Sequence, residues 1–391
     1  MKGYWISLFI SLFFVGCQFN SQEGSEETEW ALKVADAVMT RHDSLIHYFH
    51  PSRVGWQYDV AMLGQVIDRL GNVDKKYSNY NEDYMNYFID DEGNIKHYRR
   101  EEYNIDYVNP AKGLITMYKR TGEERFHKAI QKIIVQLEEH PRTNSGGYWH
   151  KKRYPYQMWL DGIYMASPFI AQYALEFNQP DWADVVFDQI TLIYDSTLDA
   201  NTGLLYHAWD ESREQKWSDP VTGHSPCFWG RSMGWYVMAL VDVLDYLPEQ
   251  MKEREDLVSI LKNVAVALLK VQDPETGLWY QVLDQGKREG NYLEASCSAM
   301  YIYAFYKGAR MGYLDERYLE IAQKAFNSYI ETFIFTDDDG MPSIKNICGG
   351  TGLGGKPYRD GSYQYYISEK VVINDPKGVA PFIMAAIELG R

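Results

Sequence analysis

Cysteine is scarce in this 391-residue chain, and the four that occur, Cys17, Cys227, Cys297 and Cys348, stand far apart. That spacing excludes a disulfide framework and a zinc cluster, and the three beyond Cys17 are expected as small buried hydrophobes. Basic runs are missing too, and the net charge is −15, so nucleic acid is excluded as a partner because its phosphates need a positive footprint. A polyanionic ligand would have to be met locally, by a few placed Arg or Lys. No stretch rich in Pro, Gly or Ser divides the chain, which reads as one domain beyond its N-terminus. The apolar run from Tyr4 to Val15 is too short to span a bilayer.

What is present begins with that run. "MKGYWISLFISLFFVGC" has one Lys, an apolar segment, then Gly16 and Cys17, the pattern of an export signal over residues 1–17. Val15-Gly16-Cys17 resembles the lipobox of bacterial lipoproteins. It implies an exported chain, periplasmic or outer-membrane-anchored, whose one link to a membrane is a lipid on Cys17; plain secretion is the alternative. Residues 18–29 are polar and read as a tether, leaving 30–391 for the fold. Hydrophobic residues make up 46%, enough for one large core. With 32 Tyr and 11 Trp, flat amphipathic rings are abundant, which suits sugar faces as well as cores.

Helical periodicity dominates that domain, in two alternating kinds. Phe126, Ile130, Ile133, Ile134 and Leu137 form one stripe on a charged segment, as do Leu257, Ile260, Leu261, Val264 and Leu268, and Tyr318, Ile321, Ala325 and Tyr329. Between them lie "WLDGIYMASPFIAQYALEF", "GWYVMALVDVLDYL" and "YLEASCSAMYIYAFYKGA", apolar nearly all round and so destined to be surrounded. About twelve helices are expected, starting near 30, 54, 74, 104, 123, 157, 180, 229, 254, 292, 315 and 375. Six outer and six inner helices in alternation predict an all-α fold, an (α/α)6 barrel. Turn-like stretches with Gly93, Gly147, Gly203, Gly277 and Gly340 recur at 54, 56, 74 and 63 residues, the length of a helix pair with its loops. Each is expected to lead from an outer helix to the next inner one, so the residues after these turns gather at one end of the barrel, where a site is expected.

Two familiar patterns fail on context. "GRSMG", 230 to 234, matches the serine-hydrolase elbow, but what precedes it, "TGHSPCFW", is no strand, so Ser232 is not expected as a nucleophile. "GTGLGG", 350 to 355, matches a dinucleotide fingerprint but leads into "KPYRDGSYQYY" rather than a helix; it is expected to bring backbone close to a ligand.

Three segments carry polar groups where a structural role is strained. Asp106 in "NIDYVNPAKGL" precedes an inner helix, where capping is an equal alternative. In "KKRYPYQMWLDGIYMASPF", Asp161 lies among Met158, Trp159, Leu160, Ile163, Tyr164 and Met165, with Lys151 ahead of it. A carboxylate inside an inner helix is either neutralised by a partner or buried for use; burial favours its protonated form, as a proton donor requires. The third segment runs from His207 to Trp229, Arg231 and Trp235, a cation expected between two indoles and able to receive a carboxylate.

"HPRTNSGGYWHKKRYPYQMWLDGIYMASPF", "FWGRSMGW", "NYLEASCSAMYIYA" and "PYRDGSYQYYISEKVVINDPKGVAPF", four motifs in order from about Trp30 to the C-terminus, together resemble the unsaturated rhamnogalacturonyl hydrolases, glycoside hydrolase family 105. The resemblance implies an (α/α)6 barrel acting without a metal or other cofactor on oligosaccharides whose nonreducing end carries a 4,5-unsaturated uronic acid. It implies Asp161 as general acid and base, Asp106 as second carboxylate, and Lys151, His207, Trp229, Arg231 and Trp235 as binding residues, with Tyr58 and Arg359 carried over from more variable turns. Ser232-Met233, between Arg231 and Gly234, departs from the smaller residues usual there, which bears on the sugar beyond the first subsite. On this scheme the vinyl ether is protonated at carbon 4, water adds at carbon 5, and the hemiketal opens. The enzymatic alternative is an unsaturated glucuronyl hydrolase acting on glycosaminoglycan or ulvan fragments. A glycan-binding lipoprotein without activity is the alternative of another class, and retention of Asp161 argues against it.

Overall fold

A computed structural model of the chain describes residues 25–49 and 53–391. The expected signal, the lipobox with Cys17 and most of the tether lie outside the described residues. The outer helices are α1 (Glu26–Arg41), α3 (Lys75–Phe88), α5 (Glu124–Glu138), α7 (Asp181–Thr197), α9 (Arg254–Lys270) and α11 (Arg317–Phe333); the inner ones are α2 (Tyr58–Asp68), α4 (Ala111–Thr121), α6 (Leu160–Glu176), α8 (Gly230–Val243), α10 (Ala295–Arg310) and α13 (Pro376–Leu389). A short α12 (Tyr363–Ser368) sits in the last loop. α1 starts at Glu26, capped by Ser25, four residues inside the stretch expected as tether.

Inner helices pack side to side in the order α2, α4, α6, α8, α10, α13 and back to α2, and each outer helix lies against an inner one, closing an (α/α)6 barrel. The two hydropathy patterns explain the two rings. On α5, Phe126, Ile130, Ile133, Ile134 and Leu137 are all buried against the barrel, each contributing about 1.5–3 kcal/mol on leaving water. On α8 every residue from Gly230 to Val243 is buried, because an inner helix has neighbours on all sides.

The repeated turns do connect outer to inner helices. Asp199 accepts from Thr202 N–H and Asp273 from Thr276 N–H, both at 2.9 Å, and the glycines that follow, Gly203 and Gly277, take φ of 78° and 70°, a region that favours glycine. All six inner helices therefore run the same way, with their N-termini at the end of the barrel where these long loops lie. Small antiparallel ribbons decorate the loops: β1 (Gln157–Trp159) with β2 (Ala208–Asp210), β3 (Ile334–Thr336) with β4 (Pro342–Ile344), and β5 (Ile347–Cys348) with β6 (Val371–Val372). Cys227, Cys297 and Cys348 are buried free thiols. No described helix is long and apolar enough to cross a membrane.

Candidate active site

The ribbon of β1 and β2 sets the first relationship. Trp159 pairs with Ala208, and the Leu160 N–H donates to the His207 carbonyl at 3.1 Å, so Asp161 and His207 emerge side by side. Asp161 Oδ2 lies 3.2 Å from His207 Nε2; the imidazole is fully buried and the carboxylate 16% exposed. The contact lacks hydrogen-bond geometry, and neither atom has another partner among the described residues. On the other side of the ring, Nδ1 is 2.7 Å from the Tyr366 hydroxyl. Burial pushes the Tyr366 phenol well above its ordinary range, so it stays a hydroxyl. With a carboxylate facing Nε2, the Nε2–H tautomer is favoured and Tyr366 donates to Nδ1.

Asp161 lies in an inner helix, as its neighbours in sequence suggested, but in its first turn rather than at its buried middle. It is the second residue of α6, partly exposed, at the end of the barrel where the loops gather. Met158 and Trp159 belong to β1, while Ile163, Tyr164 and Met165 are buried along α6. The run is apolar because the helix is an inner one; the carboxyl group sits at its top, where the loops gather.

Asp106 lies in a short 3-10 turn, Ile105–Tyr107, and does not cap α4, whose cap position is Pro110. Its carboxylate goes to Lys151 Nζ at 2.5 Å and faces His150 Nε2 at 3.7 Å. Burial opposes its ionisation, yet Lys151 and His150 together hold it below the usual carboxylate range. Burial lowers His150 to about 4 against the attraction of Asp106, leaving it neutral at pH 7. His150 also feels Asp161 and His207, which places both carboxylates in one cluster. Its ring stacks on Trp159 at 4.3 Å and 9°, and Trp159 stacks with Tyr154 at 5.0 Å. His150, Tyr154, Trp159 and Tyr366 were missed as site residues. His150 sits directly before Lys151 in sequence and was open to the same reasoning, whereas Tyr366 is 159 residues from His207 and carries no sequence signal linking the two.

Arg231 departs from expectation. Its guanidinium lies over one indole, Trp229, with Cζ 4.8 Å from the ring centroid, not between two. It is 1% exposed and donates to the Cys348 carbonyl at 2.6 Å and to Ser296 Oγ at 3.2 Å, with Glu294 Oε1 at 3.9 Å. Glu294, also missed, is the buried cap of α10 and accepts from the N–H groups of Cys297 and Cys348. Trp235 is fully buried, stacked on Tyr164 at 5.0 Å and met edge-on by Tyr58 at 6.1 Å. It forms part of an aromatic layer across the barrel under the site and presents no surface to a sugar. Tyr58 tops that layer near Asp106, Asp161 and Arg231, and burial pushes its hydroxyl well above the ordinary range. Trp229, 2% exposed, packs its ring against His207 at 4.7 Å.

Arg359 serves the glycine-rich loop. It donates to the carbonyls of Gly354 and Leu353 and to the Tyr154 hydroxyl at 2.9, 3.1 and 2.9 Å. A Cβ on Gly352 would stand 2.3 Å from Arg359 Nη1, so the backbone approach that needs glycine is to this guanidinium rather than to a ligand. Leu353 packs with Tyr154, Trp159 and Trp217, so the loop lies against one wall of the cleft. Ser232 is buried on α8 and donates to the Trp229 carbonyl, with none of the setting of a nucleophile. Among the described residues no group of three or more acids, His or Cys is placed to hold a metal.

A helical barrel whose inner-helix N-termini surround two carboxylates, two imidazoles and stacked rings defines a glycoside hydrolase of the (α/α)6 type. The chain belongs to Glycosyl Hydrolase Family 88, whose family model matches residues 30–391. It is similar to a solved C. acetobutylicum glycoside hydrolase of family 105, 44% identical, with 92% of this chain and 99% of that one covered and a TM-score of 0.88. A protein of Agrobacterium fabrum is 37% identical over 57% of this chain and 97% of its own length. The unsaturated rhamnogalacturonyl hydrolase YesR of Bacillus subtilis is 24% identical over 64% of this chain and 68% of its own. The likeness carried by the four motifs is thereby borne out.

Proposed function

We propose that this glycoside hydrolase removes a terminal 4,5-unsaturated uronic acid, galacturonyl by preference, from short oligosaccharides by hydrating its vinyl ether. The observation that carries the reading is the unequal setting of the two carboxylates. Asp106 is committed as an anion to Lys151, while Asp161 has no Lys or Arg within 4 Å among the described residues and faces only His207. Sites that place two carboxyl groups in different electrostatic settings divide acid from anion between them.

In this mechanism the Asp161 carboxylic acid gives its proton to carbon 4, and the electron pair of the double bond forms the new C–H bond. Positive charge develops at carbon 5 and the ring oxygen, where the Asp106 carboxylate offsets it. Water adds to carbon 5 and loses a proton to the Asp161 carboxylate, restoring the acid. The hemiketal then opens, releasing the remaining sugar and a keto-uronate, with no net gain or loss of protons by the enzyme. His207, its tautomer set by Tyr366, holds Asp161 in place. Support for an anionic first sugar comes from the inner-helix N-termini around the site, a positive setting in a chain of net charge −15.

A panel of lyase-generated unsaturated disaccharides, galacturonyl and glucuronyl, followed by ultraviolet absorbance, tests it, since hydration destroys the conjugated chromophore. The galacturonyl disaccharide is expected to react fastest; no loss of absorbance with any member would refute the reaction.

A further inference from the structure

The opposite mouth of the barrel, where the inner helices end, holds a second cavity of about 380 Å3 that the proposed reaction does not use. The aromatic layer of Tyr58, Trp235 and Tyr164 lies between it and the active site. Every carboxylate on its walls is already matched. Asp242 and Asp245 receive Lys307 at 2.8 and 2.6 Å, Asp68 receives Arg120 at 2.7 Å, and Glu388 lies between Arg310 and Arg391.

Two further cations line the same walls, of which Arg69 is already held by the Tyr303 hydroxyl and attracted by Asp242. Lys112 and Arg69 have no carboxylate within 4 Å among the described residues, and the Lys112 ammonium makes no hydrogen bond there. Cations at helix C-termini often do no more than offset the dipole, and that accounts for Lys307 and Arg391. It does not account for Lys112, which enters from the first turn of α4 and places its ammonium 4.4 Å from the Tyr164 ring centroid. Lys112 is half-buried and its ammonium opens into the cavity without a carboxylate partner, so a polar ligand there would meet a free positive charge.

We propose that this cavity is a second ligand site, for a small oxyanion of the carboxylate or sulfate kind, with Lys112 and Arg69 as its charge partners and Gln172 at its edge. The groups facing Lys112 are Arg69 after α2, Tyr164 from α6, Asp242 from α8, and Tyr303 and Lys307 from α10. Burial, with Arg69 and Lys307 outweighing the attraction of Asp242, lowers the Lys112 ammonium to about 7. An anion beside it favours the protonated amine, so binding takes up a proton above that pH and weakens as pH rises through about 7.

Calorimetric titration of the full chain with inorganic sulfate, and separately with galacturonate, at pH 6.0 and 8.5 tests this. At least one probe is expected to bind with one site per chain, about tenfold or more weaker at pH 8.5 and in Lys112→Met, which keeps the aliphatic stem under Tyr164. Binding of sulfate alone marks a simple oxyanion site, and of galacturonate alone a sugar-acid site; either supports the proposal. Arg69→Gln serves where Lys112→Met does not fold. Three results overturn it: no binding of either probe to the wild type, equal affinity in a folded variant, or displacement of the probe by unsaturated disaccharide bound to Asp161→Asn, which would put the probe in the active site.

Discussion

His207 bridges Tyr366 and Asp161: its Nδ1 is 2.7 Å from the phenol and its Nε2 3.2 Å from the carboxylate, so a hydroxyl on the last loop governs how the acid at the top of α6 is held. Tyr366→Phe removes the donor that fixes the tautomer. Its kcat is expected to fall about tenfold, the worth of one buried hydrogen bond, with KM within about twofold. The pH dependence of kcat would shift as well, which mere loosening of the loop would not cause. An unchanged kcat and pH profile would show that Tyr366 does not act through His207.

Asp161→Asn is expected to fold normally and lose turnover by about a thousandfold or more, since an amide cannot deliver the proton. Steady-state assay on an unsaturated disaccharide measures it. Retention of a tenth of wild-type activity would make Asp161 a structural residue.

Arg231→Ala is expected to do two things. If the substrate carboxylate reaches this guanidinium, as the family resemblance implies, its loss raises KM more than it lowers kcat. Because Arg231 is the cation beside the buried Glu294, its removal also leaves an uncompensated charge, costing about 3–5 kcal/mol of stability. Thermal unfolding separates the effects: a lowered Tm with unchanged KM would confine Arg231 to holding the loop of Cys348.

Gly352→Ala places a methyl group against Arg359 and is expected to free that guanidinium from Tyr154 and the Leu353 carbonyl. The loop against the cleft loosens, so KM is expected to rise several-fold, in the range of one or two lost hydrogen bonds, with kcat little changed. Equal KM in the two proteins would detach the loop from binding.

Stability is expected to fall with acidification through two histidines. Burial lowers both His140 and His150 to about 4 in the folded chain, against an ordinary value of 6.5. Between those values the unfolded chain binds the extra protons, so stability decreases as pH falls from about 6.5 to about 4, by about 1.4 kcal/mol per pH unit for each histidine. His140→Gln, away from the carboxylates, is expected to reduce that slope by about one proton in urea titrations across the range; an unaltered slope would refute the assignment.

The fold was legible because its signals are local. One-striped and all-round apolar segments alternate along the chain, and each kind of burial follows from which ring a helix joins, so twelve long helices fell near their expected starts. The candidate site was legible only in part. Asp106, Lys151, Asp161 and His207 do converge, because each follows one of the repeated turns. Other placements depended on side-chain partners far away in sequence. Arg231 is drawn to Cys348 and Glu294 rather than to a second indole, Arg359 to its own loop, and Trp235 to Tyr164. That Asp161 is partly exposed was not legible for a different reason: periodicity marks which ring a segment belongs to, and does not mark where along it the helix begins.

The layer formed by Trp235 and Tyr164 makes the active site a blind alley: the two rings close the barrel beneath the carboxylates, so no sugar chain can be threaded through. Whatever enters must back out by the same door. On the proposed mechanism, such an enzyme frees the one unsaturated residue of a chain and then lets go of the rest. The new end is saturated and carries no vinyl ether, so each chain is met once, and the pace is set by how often fresh unsaturated ends find the mouth.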